Sequence, residues 1–198
     1  TISFWMYLDT ETPNDETRQI CWWEEGSSPT RALDARFNTN EHMVWIFYNA
    51  GAFINVSVSD TNHLALASYD RWNHYVISFD GDMDSSTSNS KIYINGQPAT
   101  TGLGHGGSGW TSSTEWASDI RNMFWMDADY NPNNRELQGS MQDIAIWRLP
   151  LAAGDVAELY NEGRRRNLLS HPRAQSLVHW WKLTDSVEGD GGYSIGDV

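Results

Sequence analysis

Two short acidic stretches hold the side chains best suited to chemistry. Asp80-Gly81-Asp82-Met83-Asp84 and Asp127-Ala128-Asp129-Tyr130-Asn131 put oxygen-bearing groups at alternate positions. Hard cations take roughly six to eight oxygen ligands, so such loops suit calcium. Neither is an EF-hand, because Ser85 or Pro132 stands where that loop needs glycine, and Lys91 or Gln138 where it needs glutamate. Calcium is therefore the one cofactor candidate, with Asp80, Asp82, Asp84, Asp127, Asp129 and Asn131 as candidate ligands. The plainer reading is a pair of solvated turns, since Asp and Asn bond readily to nearby backbone.

Tryptophan is the second signal, with eleven in 198 residues. Trp22-Trp23 and Trp180-Trp181 are adjacent pairs, and in a strand the two rings of a pair must point to opposite faces. An outward indole can stack on a sugar ring or anchor a protein partner. Trp23, Trp180, Trp110 and Trp116 are the candidate ligand-binding residues, the last two flanking a glycine-rich stretch. For any single one of them, ordinary packing is the competing explanation.

Other signatures are weaker. Gly102-Leu103-Gly104-His105-Gly106-Gly107 matches the dinucleotide-binding pattern only in spelling, with no strand expected before it and no helix after. P-loop, zinc-protease and serine-elbow patterns do not occur. The six histidines are scattered singly, and His74 within an apolar strand reads as a packed residue. Cys21 stands alone, which excludes an internal disulfide and a cysteine-rich zinc site.

These residues must be held by strands. Period-2 segments separated by polar turns indicate an antiparallel sandwich or barrel. The expected strands are Ile2–Leu8, Gln19–Trp23, Ala32–Phe37, Met43–Tyr48, Phe53–Val58, Trp72–Phe79, Lys91–Asn95, Ile120–Met126, Ser140–Trp147 and Leu177–Leu183. In the first, Ile2, Phe4, Met6 and Leu8 share one face while Ser3, Trp5 and Tyr7 share the other. Asn95-Gly96 predicts a type I′ hairpin turn. One helix is expected, Ala152 to Glu162, with Val156, Leu159 and Tyr160 on its apolar face and Gly163 as its left-handed cap. Arg164-Arg165-Arg166 then reads as a solvated run complementing the helix dipole, or alternatively as a docking patch for an acidic partner. Asp80–Ser90, Thr101–Thr114 and Asp127–Arg135 are expected loops.

The net charge is −13, with two Lys against eleven Arg. Such a surface repels phosphate backbones, so nucleic acid is not an expected partner. No run approaches the ~18 apolar residues of a membrane span, so no membrane insertion is expected either. The hydrophobic share of 39% suits one globular domain, and the opening in mid-alternation without Met reads as a fragment of a longer polypeptide.

Three passages resemble a known family. Ile2-Ser3-Phe4-Trp5-Met6-Tyr7-Leu8 is similar to an early "ISFW" strand. Trp72-Asn73-His74-Tyr75-Val76-Ile77-Ser78-Phe79-Asp80-Gly81 with Ile92-Tyr93-Ile94-Asn95-Gly96 resembles a W-x-H … D-G … Y-x-N-G strand pair. Gly139-Ser140-Met141-Gln142-Asp143-Ile144-Ala145-Ile146-Trp147 with Leu159-Tyr160-Asn161-Glu162-Gly163 is similar to that family's ending. Together they resemble the laminin-G-like, pentraxin-like branch of the concanavalin A-like lectin/glucanase superfamily. Leu177-Val178-His179-Trp180-Trp181-Lys182-Leu183 further resembles the closing strand of such domains in bacterial and phage structural proteins.

The resemblance implies an all-β, two-sheet antiparallel jelly-roll sandwich over 1–183, with 184–198 as a tail or linker. It implies an earlier strand before Ile2 that the chain does not show: either that strand is unresolved, or its place is taken by the closing strand and tail or by a neighbour. It also implies a non-catalytic interaction or structural module. Virion-surface placement, as a capsid-decoration or fibre-type domain touching protein neighbours, glycans or both, is the leading expectation. A calcium-dependent carbohydrate-binding module of a secreted or cell-surface protein is the alternative. A divergent glycoside hydrolase ranks last, because sandwich hydrolases carry Glu-x-Asp-x-Glu or Glu-x-Asp-x-x-Glu on one strand and Gln142-Asp143-Ile144-Ala145 lacks both glutamates.

Overall fold

A computed structural model describes residues 1–8, 18–24, 31–37, 43–49, 52–78, 90–106, 120–125, 139–183 and 193–194. The elements in order are β1 (Ile2–Leu8), β2 (Arg18–Glu24), β3 (Arg31–Phe37), β4 (Met43–Asn49), β5 (Ala52–Val58), α1 (Asp60–Leu64), β6 (Trp72–Ser78), β7 (Lys91–Ile94), β8 (Gln97–Pro98), β9 (Gly102–Gly106), β10 (Ile120–Trp125), β11 (Gly139–Trp147), α2 (Ala153–Tyr160), β12 (Leu177–Trp181) and β13 (Tyr193–Ser194). Short 3-10 turns at Asn161–Gly163, Leu168–Ser170 and Ala174–Ser176 link α2 to β12.

The strands form two sheets, a seven-stranded one ordered β13-β12-β11-β1-β6-β7-β8 and a six-stranded one ordered β10-β2-β3-β4-β5-β9. Every pairing between them is antiparallel. Alternation decides which side chains fill the space between the sheets. Ile2, Phe4, Met6 and Leu8 of β1 join Tyr75, Ile77, Ile92, Ile94, Met141 and Ile144 from their own sheet. Leu33, Ala35, Phe37, Met43, Trp45, Val56 and Val58 meet them from the other. Phe4 sits at the centre, stacked on Trp45 at 6.0 Å and on Tyr75 at 5.7 Å between ring centroids. The two-sheet sandwich expected from the sequence is the observed fold.

All ten expected strands are present, with ends displaced by a residue or two. The differences lie where side-chain patterning is silent. Gly102–Gly106, expected within a loop, is strand β9, paired with β5 from Phe53↔Gly106 to Ser57↔Gly102. A strand built mostly of glycine shows no apolar alternation, and its place at a sheet edge is set by backbone bonds. Helix α1 has only five residues, too few for a 3.6-residue period to register, and it carries buried His63, whose Nε2 lies 2.9 Å from the Tyr75 hydroxyl. The sheet flank beyond β11 is taken by β12 and β13, both from this chain. Tyr193 and Ser194, in the segment expected to be a tail, pair with Trp180 and His179.

Two glycines are fixed by close approach. Gly139 starts β11 at φ +157°, where an added Cβ would come within 1.9 Å of the Tyr7 carbonyl oxygen. Asn95 and Gly96 have φ of 51° and 77° and form the expected hairpin turn between β7 and β8. A Cβ on Gly96 would also meet the Tyr160 ring at 3.0 Å.

Helix α2 ends two residues earlier than expected. Asn161, Glu162 and Gly163 are all left-handed, with φ of 47°, 55° and 82°. Asn161 makes the cap, its N–H donating to the Ala157 carbonyl. Asn tolerates this conformation better than most residues, so the turn comes before the glycine that sequence reasoning favours.

Candidate functional site

The outer face of the seven-stranded sheet gathers most of the polar chemistry among the described residues. It is not open. Val76, Tyr93, Ala145, Trp147 and Trp180 project from the sheet into a second core with Leu151, Val156, Leu159, Leu168 and Leu177. Helix α2 and the segment after it therefore form a third layer.

At the middle of this face β11 carries a bulge. Ser3 pairs with Ala145 and Trp5 with Gln142, so three β11 residues span what two cover on β1. Asp143 has φ 49°, in the left-handed region that Asp tolerates. Its carboxylate is buried and accepts hydrogen bonds from Arg165 Nε and, at 3.1 Å, from Trp180 Nε1. Its backbone N–H donates to the Lys182 carbonyl at 3.0 Å. The Lys182 ammonium lies 4.9 Å from the centre of the Trp180 ring, a cation–π contact. Trp180 is thus 4% exposed and fully engaged, so it does not present an indole face for stacking on a sugar. Trp181 faces the other way and packs against the inter-sheet core. The expected opposition of the two rings holds, but the face away from the first core is covered by the second.

The arginine run is neither simply solvated nor a free docking patch. Arg165 reaches the bulge, while Arg166 donates to the Glu158 carbonyl at 2.8 Å and lies 3.8 Å from its carboxylate. Arg166 thereby satisfies a carbonyl near the end of α2, where cations are favoured.

Beside the bulge, Trp5, His74 and Tyr160 form an aromatic stack with centroid separations of 5.0 Å (Trp5–His74) and 5.9 Å (Trp5–Tyr160). Burial lowers the His74 pKa from the usual 6.5 to about 3, so the ring is neutral at physiological pH. Its Nδ1 has no hydrogen-bond partner. The backbone N–H of His74 donates to Asn95 Oδ1 at 2.9 Å, and Asn95 Nδ2 donates to the Leu66 carbonyl at 2.7 Å and to Asn73 Oδ1 at 3.0 Å. The Trp72-Asn73-His74 and Asn95-Gly96 motifs therefore hold the frame together.

Farther along the sheet, Ser78, Lys91 and Tyr93 border a cleft of about 460 Å³ with Pro150, Leu151, Ala152 and Ala153. Sequence reasoning did not select any of these residues, since only the crossover from β11 into α2 brings them together.

Asp80, Asp82, Asp84, Asp127, Asp129, Asn131, Trp110 and Trp116 lie outside the described residues. Trp23 belongs to β2, its backbone facing Asn122 and Arg31, and its side chain also lies outside them. Among the described residues, no three His, Cys, Asp or Glu side chains converge as a metal site. No described helix is long and apolar enough to cross a membrane.

Comparison with curated proteins finds no match. A laminin-G-type family model, described as concanavalin A-like lectin/glucanases superfamily, matches residues 1–157, from β1 into α2. With that match over a sandwich of two antiparallel sheets, the chain belongs to the concanavalin A-like lectin/glucanase superfamily.

Proposed function

We propose that this domain is a non-catalytic interaction module, a rigid frame that presents its surface to glycans or protein neighbours. The observation that carries the non-catalytic part is the use made of the two buried carboxylates among the described residues. Asp143 is committed to Arg165 and Trp180, and Asp34, fully buried in the other sheet, lies 3.5 Å from Arg36. Glycoside cleavage needs two carboxyl groups facing one bond, roughly 5–10 Å apart, one donating a proton and the other attacking or activating water. Asp143 instead fastens β11 to the segment after α2 and to β12, and Asp34 pairs with Arg36 along β3.

Placement on a virion or comparable assembly, as a capsid-decoration or fibre-type domain, belongs to the same proposal. It is supported by the strongly acidic surface and by the likeness of Leu177–Leu183 to closing strands of phage structural proteins. Calcium at the Asp80 or Asp127 loop is a separable part of it.

The test is a glycan array and a polysaccharide panel, each run with and without chelator. Retention without new reducing ends is the expected result, and release of reducing ends overturns the reading. Loss of retention in chelator assigns calcium a role, whereas unchanged retention removes it. Antibody labelling of intact particles from the source tests the placement, and unlabelled particles refute it.

A further inference from the structure

The cleft beside α2 sets a few hydrogen-bond donors against a small apolar wall. Its volume, about 460 Å³, falls in the range of small-molecule sites. Tyr93 is only 2% exposed, its ring packed in the second core; it lines the cleft, and no hydrogen bond ties its hydroxyl to a described residue. The hydroxyl is not sealed in the interior, so a group entering the cleft can reach it. Burial raises its pKa above the usual 10, so it remains a donor at neutral pH.

Lys91 stands two residues away on the same face of β7. It is one of two lysines in the sequence, is exposed, and makes no ion pair with another described residue. Across the cleft α2 begins at Ala153, where the first N–H groups of a helix have no intrahelical acceptor. The Ala152 N–H is already taken by Asp155 Oδ2 at 3.2 Å. The Asp155 charge is in turn met by Arg173 Nε at 3.0 Å. Ser78 donates to the Leu151 carbonyl at 2.9 Å and fixes that wall. Pro150, Leu151 and the two alanines add a small apolar surface.

We propose that this cleft binds a carboxylated sugar, a uronic-acid or sialic-acid-type residue. Lys91, the Tyr93 hydroxyl and the start of α2 take the carboxylate, and the ring lies against the Pro150–Ala153 wall. One ammonium and one neutral hydroxyl match a single negative charge. A doubly charged phosphate calls for more cations, above all in a chain with net charge −13. The proposal rests on the glycan branch of the function proposed above and gives it a ligand class.

The experiment titrates sodium glucuronate and N-acetylneuraminate into isotopically labelled protein at low salt, following backbone amide signals and heat. Glucose, acetate, sulfate and phosphate serve as comparators. Saturable shifts at Lys91, Tyr93, Ala153 and Gly154 are expected for the acidic sugars, with glucose at least about tenfold weaker, the scale of one charge-assisted contact, and acetate weaker because it has no ring to lie on the wall. Lys91→Met should weaken binding about tenfold and Tyr93→Phe several-fold. Both variants should melt like the parent, since Lys91 is exposed and no hydrogen bond ties the lost hydroxyl to a described residue. No shifts at the cleft, equal binding of glucose or acetate, or equal binding of sulfate and phosphate each overturns the proposal. Acidic-glycan binding that survives both substitutions refutes this cleft but keeps the interaction-module reading. Absence of any glycan binding removes the glycan branch along with the cleft.

Discussion

The two faces of the seven-stranded sheet are buried by different means. The inner face meets another sheet, and β1, β6 and β7 give it side chains by simple alternation, β11 by alternation broken once at its bulge, nearly all apolar or aromatic. The outer face meets a short helix and three 3-10 turns, whose irregular backbone leaves groups that must be bonded individually. Hence the outer layer carries Asp143 with Arg165 and Trp180, Trp147 Nε1 donating to Ser3 Oγ at 3.1 Å, and His171 Nε2 bonded to the Asp155 carbonyl at 3.0 Å. Apolar burial supplies most of the stability on both faces, while on the outer face the polar bonds also fix the register of the covering layer.

Substitutions should separate the two. Phe4→Ala empties the centre of the inner core and should cost about 3–5 kcal/mol, read as a fall in the denaturant midpoint. A cost below about 1 kcal/mol there would mean that the sheets collapse around the gap and that the inner face is less rigid than described. Asp143→Ala should cost about 1–3 kcal/mol, below the range for a fully buried pair because Arg165 is 40% exposed and water can solvate it. Combining it with Arg165→Ala in a double-mutant cycle should recover about 1 kcal/mol of coupling, and additive costs would show that the pair does not hold the layer.

The outer face should also respond to acid through His74. Folded His74 titrates near 3 and the unfolded ring near 6.5, so between these values only the unfolded chain binds that proton. Its contribution is complete above about pH 6.5 and is lost as the pH falls toward 3. Comparing His74→Asn with the parent between pH 6.5 and 4 should show a shallower loss of stability, by at most about 1.4 kcal/mol per pH unit. Equal slopes would mean that the buried ring accepts the proton without penalty. The smallest effect is expected for Trp180→Phe, which keeps most of the packing but removes one donor from Asp143, at about 1 kcal/mol.

The same contrast explains what could be read from the sequence. Ile2, Phe4, Met6 and Leu8 announce the inner face because period 2 is the whole geometry of a strand. That Ser3, Trp5 and Tyr7 face the other way is equally legible, but alternation cannot say what covers them. Trp180 therefore reads as a candidate contact residue until α2 and its turns are placed over it. The bulge leaves only a faint trace, the three-residue step from Met141 to Ile144 between inward side chains. Lys91 and Tyr93 lie far in sequence from Ala153, and no motif joins the two segments, so the cleft they share emerges only with tertiary structure. The acidic loops, conspicuous as sequence, lie outside the described residues.

The place of β1 in the sheet has a consequence for how the molecule is made. Its two neighbours are β6, beginning at Trp72, and β11, beginning at Gly139. During synthesis this apolar strand emerges first among the described elements and must wait for most of the domain before its second edge is paired. Pairings so distant along the chain are slow to form, and an open apolar edge invites association with other chains. Yield in the cell should therefore depend on how fast the later strands follow, and on whether a chaperone shields the first seven-residue strand until they do.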